Sequence, residues 1–137
     1  MKKRQGYILI EILIGMGIFV LSVSATLFWI IDSLEARRLG EERAFALAMA
    51  EEGLEATKTI RDDSFAGVTT GNHGLIISGT GRWIFSGTSD SFGSFVRTIT
   101  VVDSGSLRVD VTSRVTWPFS PQRNEMVTLM TRLASWR

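Results

Sequence analysis

The sequence predicts an α+β fold, in which a long N-terminal helix precedes a small antiparallel β-sheet that packs on its second half. Two observations support this prediction. Residues 7–31 form a predominantly apolar run whose one charge is Glu11, and apolar residues recur at helical spacing from there to about residue 61. From residue 65 onward, glycines separate short apolar runs in which apolar and polar residues alternate, as they do in strands joined by turns.

Composition excludes several classes of function. The chain has 137 residues, which fits one domain plus a membrane segment, and its net charge of +1 does not favour a nucleic acid or a strongly acidic partner. The absence of cysteine excludes disulfides, thiol chemistry and Cys-ligated metals. A single histidine leaves little material for a His-based metal site or a catalytic triad. We therefore expect no enzyme activity, no catalytic residues, no metal and no cofactor.

The apolar segment 7–31 has the length of a membrane span. A helix of these residues crosses the hydrocarbon core of about 30 Å with some tilt. A cluster of positive charges precedes the segment, and charges of both signs follow it. The positive-inside bias then places the N-terminus in the cytoplasm and the C-terminal domain across the membrane. The preceding charges are Lys2, Lys3 and Arg4, and the following ones are Asp32, Glu35, Arg37 and Arg38.

Glu11 distinguishes this segment from simpler alternatives. A secretory signal peptide has a shorter apolar stretch. A plain membrane anchor fits the length but leaves Glu11 unexplained, because a carboxylate in hydrocarbon costs about 2.5–3.5 kcal/mol. The span has no cation to pair with it. Cleavage between Gly6 and Tyr7 would create an α-amino group, and the amine of one subunit would then neutralise the carboxylate of its neighbour.

The start of the chain closely resembles the class III leader of type IV prepilins and type II secretion pseudopilins. That pattern is a short basic leader ending in Gly, then an aromatic residue, three largely apolar residues, Glu, and more apolar residues. Tyr7 stands where Phe is commoner, and the residues before Glu11 lack the Thr of many members. The matching run is Lys2-Lys3-Arg4-Gln5-Gly6-Tyr7-Ile8-Leu9-Ile10-Glu11-Ile12-Leu13-Ile14.

The resemblance implies how the chain is processed and where it acts. It implies cleavage after Gly6 by a prepilin peptidase, N-methylation of Tyr7, and Glu11 as the assembly carboxylate. The expected product is a minor pilin or pseudopilin in a type IV pilus or a type II secretion pseudopilus, with a pilin-like fold. The implied partners are other pilin or pseudopilin subunits, the prepilin peptidase, the inner-membrane assembly platform and the membrane. The expected divisions are a leader (1–6), the membrane-spanning and assembly half of the helix (7–31), its amphipathic half (32–61) and a β-rich domain (62–137).

The second half of the helix is amphipathic. We expect its apolar stripe to face a small core, its many charges to form a solvated face, and Gly40 and Gly53 to soften the helix. Residues 47–62 resemble the helix end of minor pilins of the pilus-modification type, which favours a minor pilin or pseudopilin. The predicted stripe is Leu34, Phe45, Leu47, Ala48, Met49, Leu54 and Ile60, and the clustered carboxylates Glu51, Glu52 and Glu55 are assigned to the solvated face.

The C-terminal part predicts an antiparallel meander over about 95–133, preceded by a less regular segment. The clearest strands are 74–78, 82–86, 95–103, 106–117 and 125–133, where period-two alternation is visible in the last three. The run from Asp103 to Ser106 predicts a hairpin turn, and Pro118 with Pro121 marks the next connection.

Few residues outside the N-terminal segment suggest chemistry. His73 is expected in an exposed turn, and the serines have no nucleophile elbow or partner base. Trp83, Trp117 and Trp136 are expected in the core or on the sheet face, whereas Trp29 has the position of a membrane-interface aromatic. Five arginines from residue 108 onward make the C-terminal third mildly basic, which leaves open an alternative as a DNA-uptake or adhesive minor pilin. The acidic residues among them argue against nucleic acid as a partner. These arginines are Arg108, Arg114, Arg123, Arg132 and Arg137.

Overall fold

The computed structural model describes residues 3–105 and 107–135, with side chains from Tyr7 onward. In these residues the layout is α+β, as predicted, with a long N-terminal helix followed by an antiparallel sheet. The chain divides into two compact units, one ending at Gly40 and the other beginning at Glu41. The elements are α1 (Lys3–Asp63), a 3-10 turn (Phe65–Gly67), β1 (Gly71–Ile77), β2 (Trp83–Ser86), β3 (Asp90–Phe92), β4 (Phe95–Gly105), β5 (Arg108–Ser120) and β6 (Arg123–Ala134).

The first unit contains the apolar part of α1. The segment from Tyr7 to Ile31 contains no proline, so each residue can donate its helical hydrogen bond and the helix continues without interruption. All the large apolar side chains of this segment are exposed. Among the described residues, α1 is the helix that is long and apolar enough to cross a membrane.

The sheet of the second unit has the order β2-β1-β4-β5-β6, and β3 pairs with β4 on the same side as β1. All the pairs are antiparallel, and β5 forms the longest ladder, with β6. Alternation along the strands produces one buried face and one exposed face, as predicted. The buried face carries Ile99, Val101, Val111, Val115 and Leu133, and the exposed face carries Val96, Val102, Met126 and Met130.

The second half of α1 packs on the buried face of this sheet, as predicted, but the residues in contact are mostly smaller than those predicted. Phe45 and Leu47 remain 43% and 41% exposed, whereas the buried stripe includes alanines and a glycine. Small residues allow the helix backbone to approach the strands closely. The helix face that carries them is therefore the face buried against the sheet. The buried helix residues are Ala46, Met49, Ala50, Gly53, Ala56, Thr57 and Ile60.

Gly53 contributes to packing, rather than softening the helix as expected. A Cβ at this position would lie 2.7 Å from Ser113 Oγ and 2.8 Å from Ile99 Cδ1. Both are closer than van der Waals contact allows, so the residue at position 53 must be glycine for the helix to lie at this distance from the sheet.

Two predicted connections are shifted along the chain. β4 extends through Asp103 to Gly105, where the Asp103 side chain accepts a hydrogen bond of 2.9 Å from the Gly105 amide and the ladder with β5 is irregular. Pro118 lies inside β5, opposite Asn124, next to a second irregularity. Proline has no N–H to donate, so it is accommodated at a bulge rather than in a turn. Ser106 is outside the described residues.

His73 lies in β1 and not in an exposed turn, so that prediction was wrong. Its ring is half-buried and stacks on Phe85 with 4.3 Å between ring centroids. Its Nε2 atom also lies 2.8 Å from the carbonyl oxygen of Thr69. Pairing with β4 holds this segment extended, although its sequence is rich in residues that favour turns.

Candidate functional site

The peptide bond between Gly6 and Tyr7 lies inside α1, which begins at Lys3. Tyr7 is 80% exposed, so the residue after the expected cleavage point is accessible. Glycine is about 1 kcal/mol less favourable than alanine within a helix, so the helix is weakened at this bond. Local opening there would present an extended backbone to a peptidase. Of the leader charges, Lys2 is outside the described residues, and the backbones of Lys3 and Arg4 are helical.

Glu11 lies on the same face of the helix as Tyr7, one turn further along. Residues separated by four positions are about 6 Å apart along a helix axis. The side chain of Glu11 is exposed among apolar neighbours, and no described residue forms a hydrogen bond or ion pair with it. The geometry therefore leaves the carboxylate available to a cation from outside the described chain.

The polar hydroxyl groups of the apolar segment are satisfied within the helix. Ser22, Ser24 and Thr26 each donate a hydrogen bond of 2.8 Å to the carbonyl oxygen four residues earlier. Such bonds remove the cost of an unsatisfied hydroxyl in hydrocarbon. Gly15 and Gly17 have open space where a side chain would project, so a neighbouring helix can approach there. Trp29, near the C-terminal end of the segment, is exposed.

Arg97 forms a charge network in the second unit that the sequence reasoning missed. Its side chain is only 4% exposed, and its guanidinium donates two hydrogen bonds to the carboxylate of Asp90, at 2.8 and 3.2 Å. It also donates to the Met49 carbonyl at 3.0 Å and to Glu52 at 3.2 Å. Asp90 accepts a further bond from the Leu75 amide. The network joins α1, β1, β3 and β4. Its only signal in the sequence is that Arg97 occupies a position on a strand face that is otherwise apolar.

An apolar groove of about 500 Å³ lies above this network. Phe45 forms one wall, with its ring centroid 5.8 Å from that of Phe92 and 4.8 Å from that of Phe95. Phe92 is 67% exposed. The groove is suited to bind an apolar side chain. Its described lining offers no free charged group for catalysis, because the buried Arg97 and Asp90 already pair with each other. The lining residues are Phe45, Ala48, Met49, Glu52, Trp83, Asp90, Ser91, Phe92 and Arg97.

The other described residues singled out from the sequence lie in the core or on the solvated surface of the second unit. Trp117 is buried, and its Nε1 donates a hydrogen bond of 2.9 Å to Glu42 on α1. Trp83 is half-buried against the core. Glu51 and Glu55 are exposed, as expected for a solvated face, whereas Glu52 is exposed but also bonds to the buried Arg97. Trp136 and Arg137 lie outside the described residues.

Two of the arginines behind the DNA-binding alternative are engaged by carboxylates. Arg132 bonds to Asp110 at 2.6 Å, and Arg123 pairs with Glu125, which also accepts a bond of 2.8 Å from Arg43. These bonds hold the pKa of Asp110 and of Glu125 below their usual values. The pairs reduce the positive charge that this surface offers to phosphate groups.

Within the described residues, His73 and the carboxylates do not group as a metal site would require. Comparison of the chain with protein-family models, with curated proteins and with solved structures found no match.

Proposed function

We propose that this chain is the precursor of a type IV pilin-like subunit, a minor pilin or pseudopilin. The subunit is inserted in the inner membrane with its N-terminus in the cytoplasm. It is cleaved after Gly6, N-methylated on Tyr7, and assembled into a type IV pilus or a type II secretion pseudopilus.

The observation that carries this proposal is Glu11, an exposed carboxylate on an exposed apolar helix, one turn beyond the Gly6–Tyr7 bond. An ionisable group in a membrane span needs a partner of opposite charge or a function. Cleavage after Gly6 supplies an amine, and pairing that amine with Glu11 of a neighbouring subunit offsets the cost of burying both charges. The pair also sets the axial stagger of adjacent helices.

The exposed helix surface supports the same proposal. Apolar side chains on all sides of a helix are stable only in lipid or against other helices. Small residues at 15, 17, 22 and 24 allow close packing between such helices. In a subunit of a helical filament, this helix lies first in the bilayer and then, after assembly, against the helices of neighbouring subunits.

Mass spectrometry of the full-length chain expressed with an active prepilin peptidase tests the proposal. The expected product lacks residues 1–6 and carries one added methyl group on Tyr7. Gly6→Val should prevent cleavage, whereas Gly15→Val, at an exposed glycine further along the same helix, should leave it unchanged. Recovery of the intact chain in the presence of active peptidase would contradict the proposal and leave a plain membrane anchor.

A further inference from the structure

A second exposed apolar surface lies across the sheet from the groove. Met126 is 62% exposed and Met130 is 70% exposed, both on the outer face of β6. Thr128 lies between them, and its partner across the strands is Arg114. We define Met126, Thr128, Met130 and Arg114 as the Met patch.

The Met patch carries an uncompensated positive charge. Arg114 is exposed, and no described residue forms a hydrogen bond or ion pair with it. The ion pair between Arg132 and Asp110 lies two cross-strand pairs beyond Met130 and is neutral as a whole. The patch therefore offers two flexible apolar side chains around one cation.

The groove offers the complementary surface. Arg97 pairs with both Asp90 and Glu52, so two carboxylates share one cation and the lining keeps a net negative charge. Glu52, whose side chain is 54% exposed, is the carboxylate that a partner can reach. The walls of the groove are aromatic and aliphatic, and thioether side chains make favourable contacts with aromatic rings. A methionine placed in the groove beside Phe45 and Phe92 would contact both rings, which pack against each other with 5.8 Å between their centroids.

The two surfaces lie at opposite edges of the sheet. The groove is bounded by β2 and β3, at one edge, and the Met patch lies on β6, at the other. One chain can therefore use both surfaces at once, each with a different neighbour. A contact between unlike surfaces repeats from copy to copy and forms an open assembly rather than a closed dimer.

We propose that the groove of one chain binds the Met patch of a second copy of the same chain. This inference rests on the proposed function, since it identifies the contact between the β-rich units of consecutive subunits in a filament. The aromatic groove supplies the apolar contact, and the pairing of Arg114 with Glu52 selects the correct partner surface.

Site-specific crosslinking tests this contact, because the chain has no cysteine of its own. Two full-length chains with different tags are co-expressed, one carrying Ser91→Cys in the groove and the other Thr128→Cys in the Met patch. Both substitutions leave the aromatic and methionine side chains intact. A short bismaleimide should join the two tags in membranes. The adduct should be absent when Ala66→Cys, an exposed position away from both surfaces, replaces Ser91→Cys.

Charge reversal in the same assay tests the specificity. Arg114→Glu or Glu52→Arg alone should lower the adduct yield about tenfold, and the two changes in opposite partners should restore it. Restoration also shows that both variants fold. Arg108→Glu, which makes the same change of net charge outside the patch, should have little effect.

Three results would overturn the inference. They are the absence of a crosslink between the two tagged chains, a crosslink between two copies of the Ser91→Cys chain, and a crosslink from the groove to a different protein only. The mass of the processed chain is measured in the same samples. Loss of residues 1–6 without the adduct refutes the contact and leaves the proposed function standing, whereas an intact N-terminus refutes the proposed function.

Discussion

Gly53 of α1 faces Ser113 of β5 so closely that a Cβ at position 53 would lie 2.7 Å from the serine Oγ. The same Cβ would be 3.0 Å from Arg97 Cδ. The helix and the sheet therefore meet at a point where neither side can accept another atom without moving.

The first prediction concerns this contact. Gly53→Ala should destabilise the fold by about 1–3 kcal/mol, because overpacking outweighs the gain in helix propensity of about 1 kcal/mol. Gly40→Ala, on the same helix with open space around it, should be neutral or stabilising. Thermal unfolding of the full chain in detergent measures both variants. Equal effects of the two substitutions would show that the close approach is absent.

The second prediction separates the two carboxylates that contact Arg97. Asp90→Ala should cost about 3–5 kcal/mol, because it leaves a buried guanidinium without its main partner. Glu52→Gln should cost less than about 1 kcal/mol, since that carboxylate is largely exposed. Denaturant unfolding monitored by tryptophan fluorescence gives both values. A cost at Glu52 as large as that at Asp90 would mean that the second pair is also desolvated.

The third prediction concerns pH and Glu125. The hydrogen bond from Arg43 lowers the pKa of Glu125, an effect that desolvation partly offsets and the bond from Arg123 reinforces. A carboxyl group with a lowered pKa stabilises the folded state above its ordinary pKa of 4.5. This contribution is lost as the pH falls from that value through the lowered pKa.

The measurement is the free energy of unfolding of the wild type and of Glu125→Gln across this range. The variant should be less stable at neutral pH, and the difference should shrink as the pH falls below 4.5. Glu51→Gln, at an exposed helix position, should change the free energy by no more than about 0.5 kcal/mol at neutral pH. A difference for Glu125→Gln that is independent of pH would argue against the ion pairs with Arg43 and Arg123.

The fourth prediction concerns Glu11. Glu11→Leu should leave membrane insertion intact or improve it, because it removes a cost of about 2.5–3.5 kcal/mol from the span. Its incorporation into filaments should fall strongly, since the amine of the neighbouring subunit loses its partner. Immunoblotting of membrane and sheared-filament fractions measures both steps. Glu35→Leu, beyond the apolar segment, serves as the control, and normal incorporation of Glu11→Leu would refute the pairing role.

The positions of the last three strands and the length of α1 could be predicted from the sequence, because both follow from periodicity among neighbouring residues. The position of β3 could not be predicted, because its three residues show no alternation of apolar and polar side chains. They are held extended by pairing with β4. His73 was misplaced for the same reason, because turn-forming neighbours favour a loop until β4 pairs with them.

The sequence by itself determined the apolar helix, the isolated carboxylate at Glu11 and the alternating strands, since each depends on residues that are close together along the chain. Only the tertiary structure decided that Gly53 and small residues form the buried stripe, that Arg97 is buried against Asp90, and that Phe45 and Phe92 line a groove. These features depend on the distance between elements far apart in sequence, and that distance is set by packing in three dimensions.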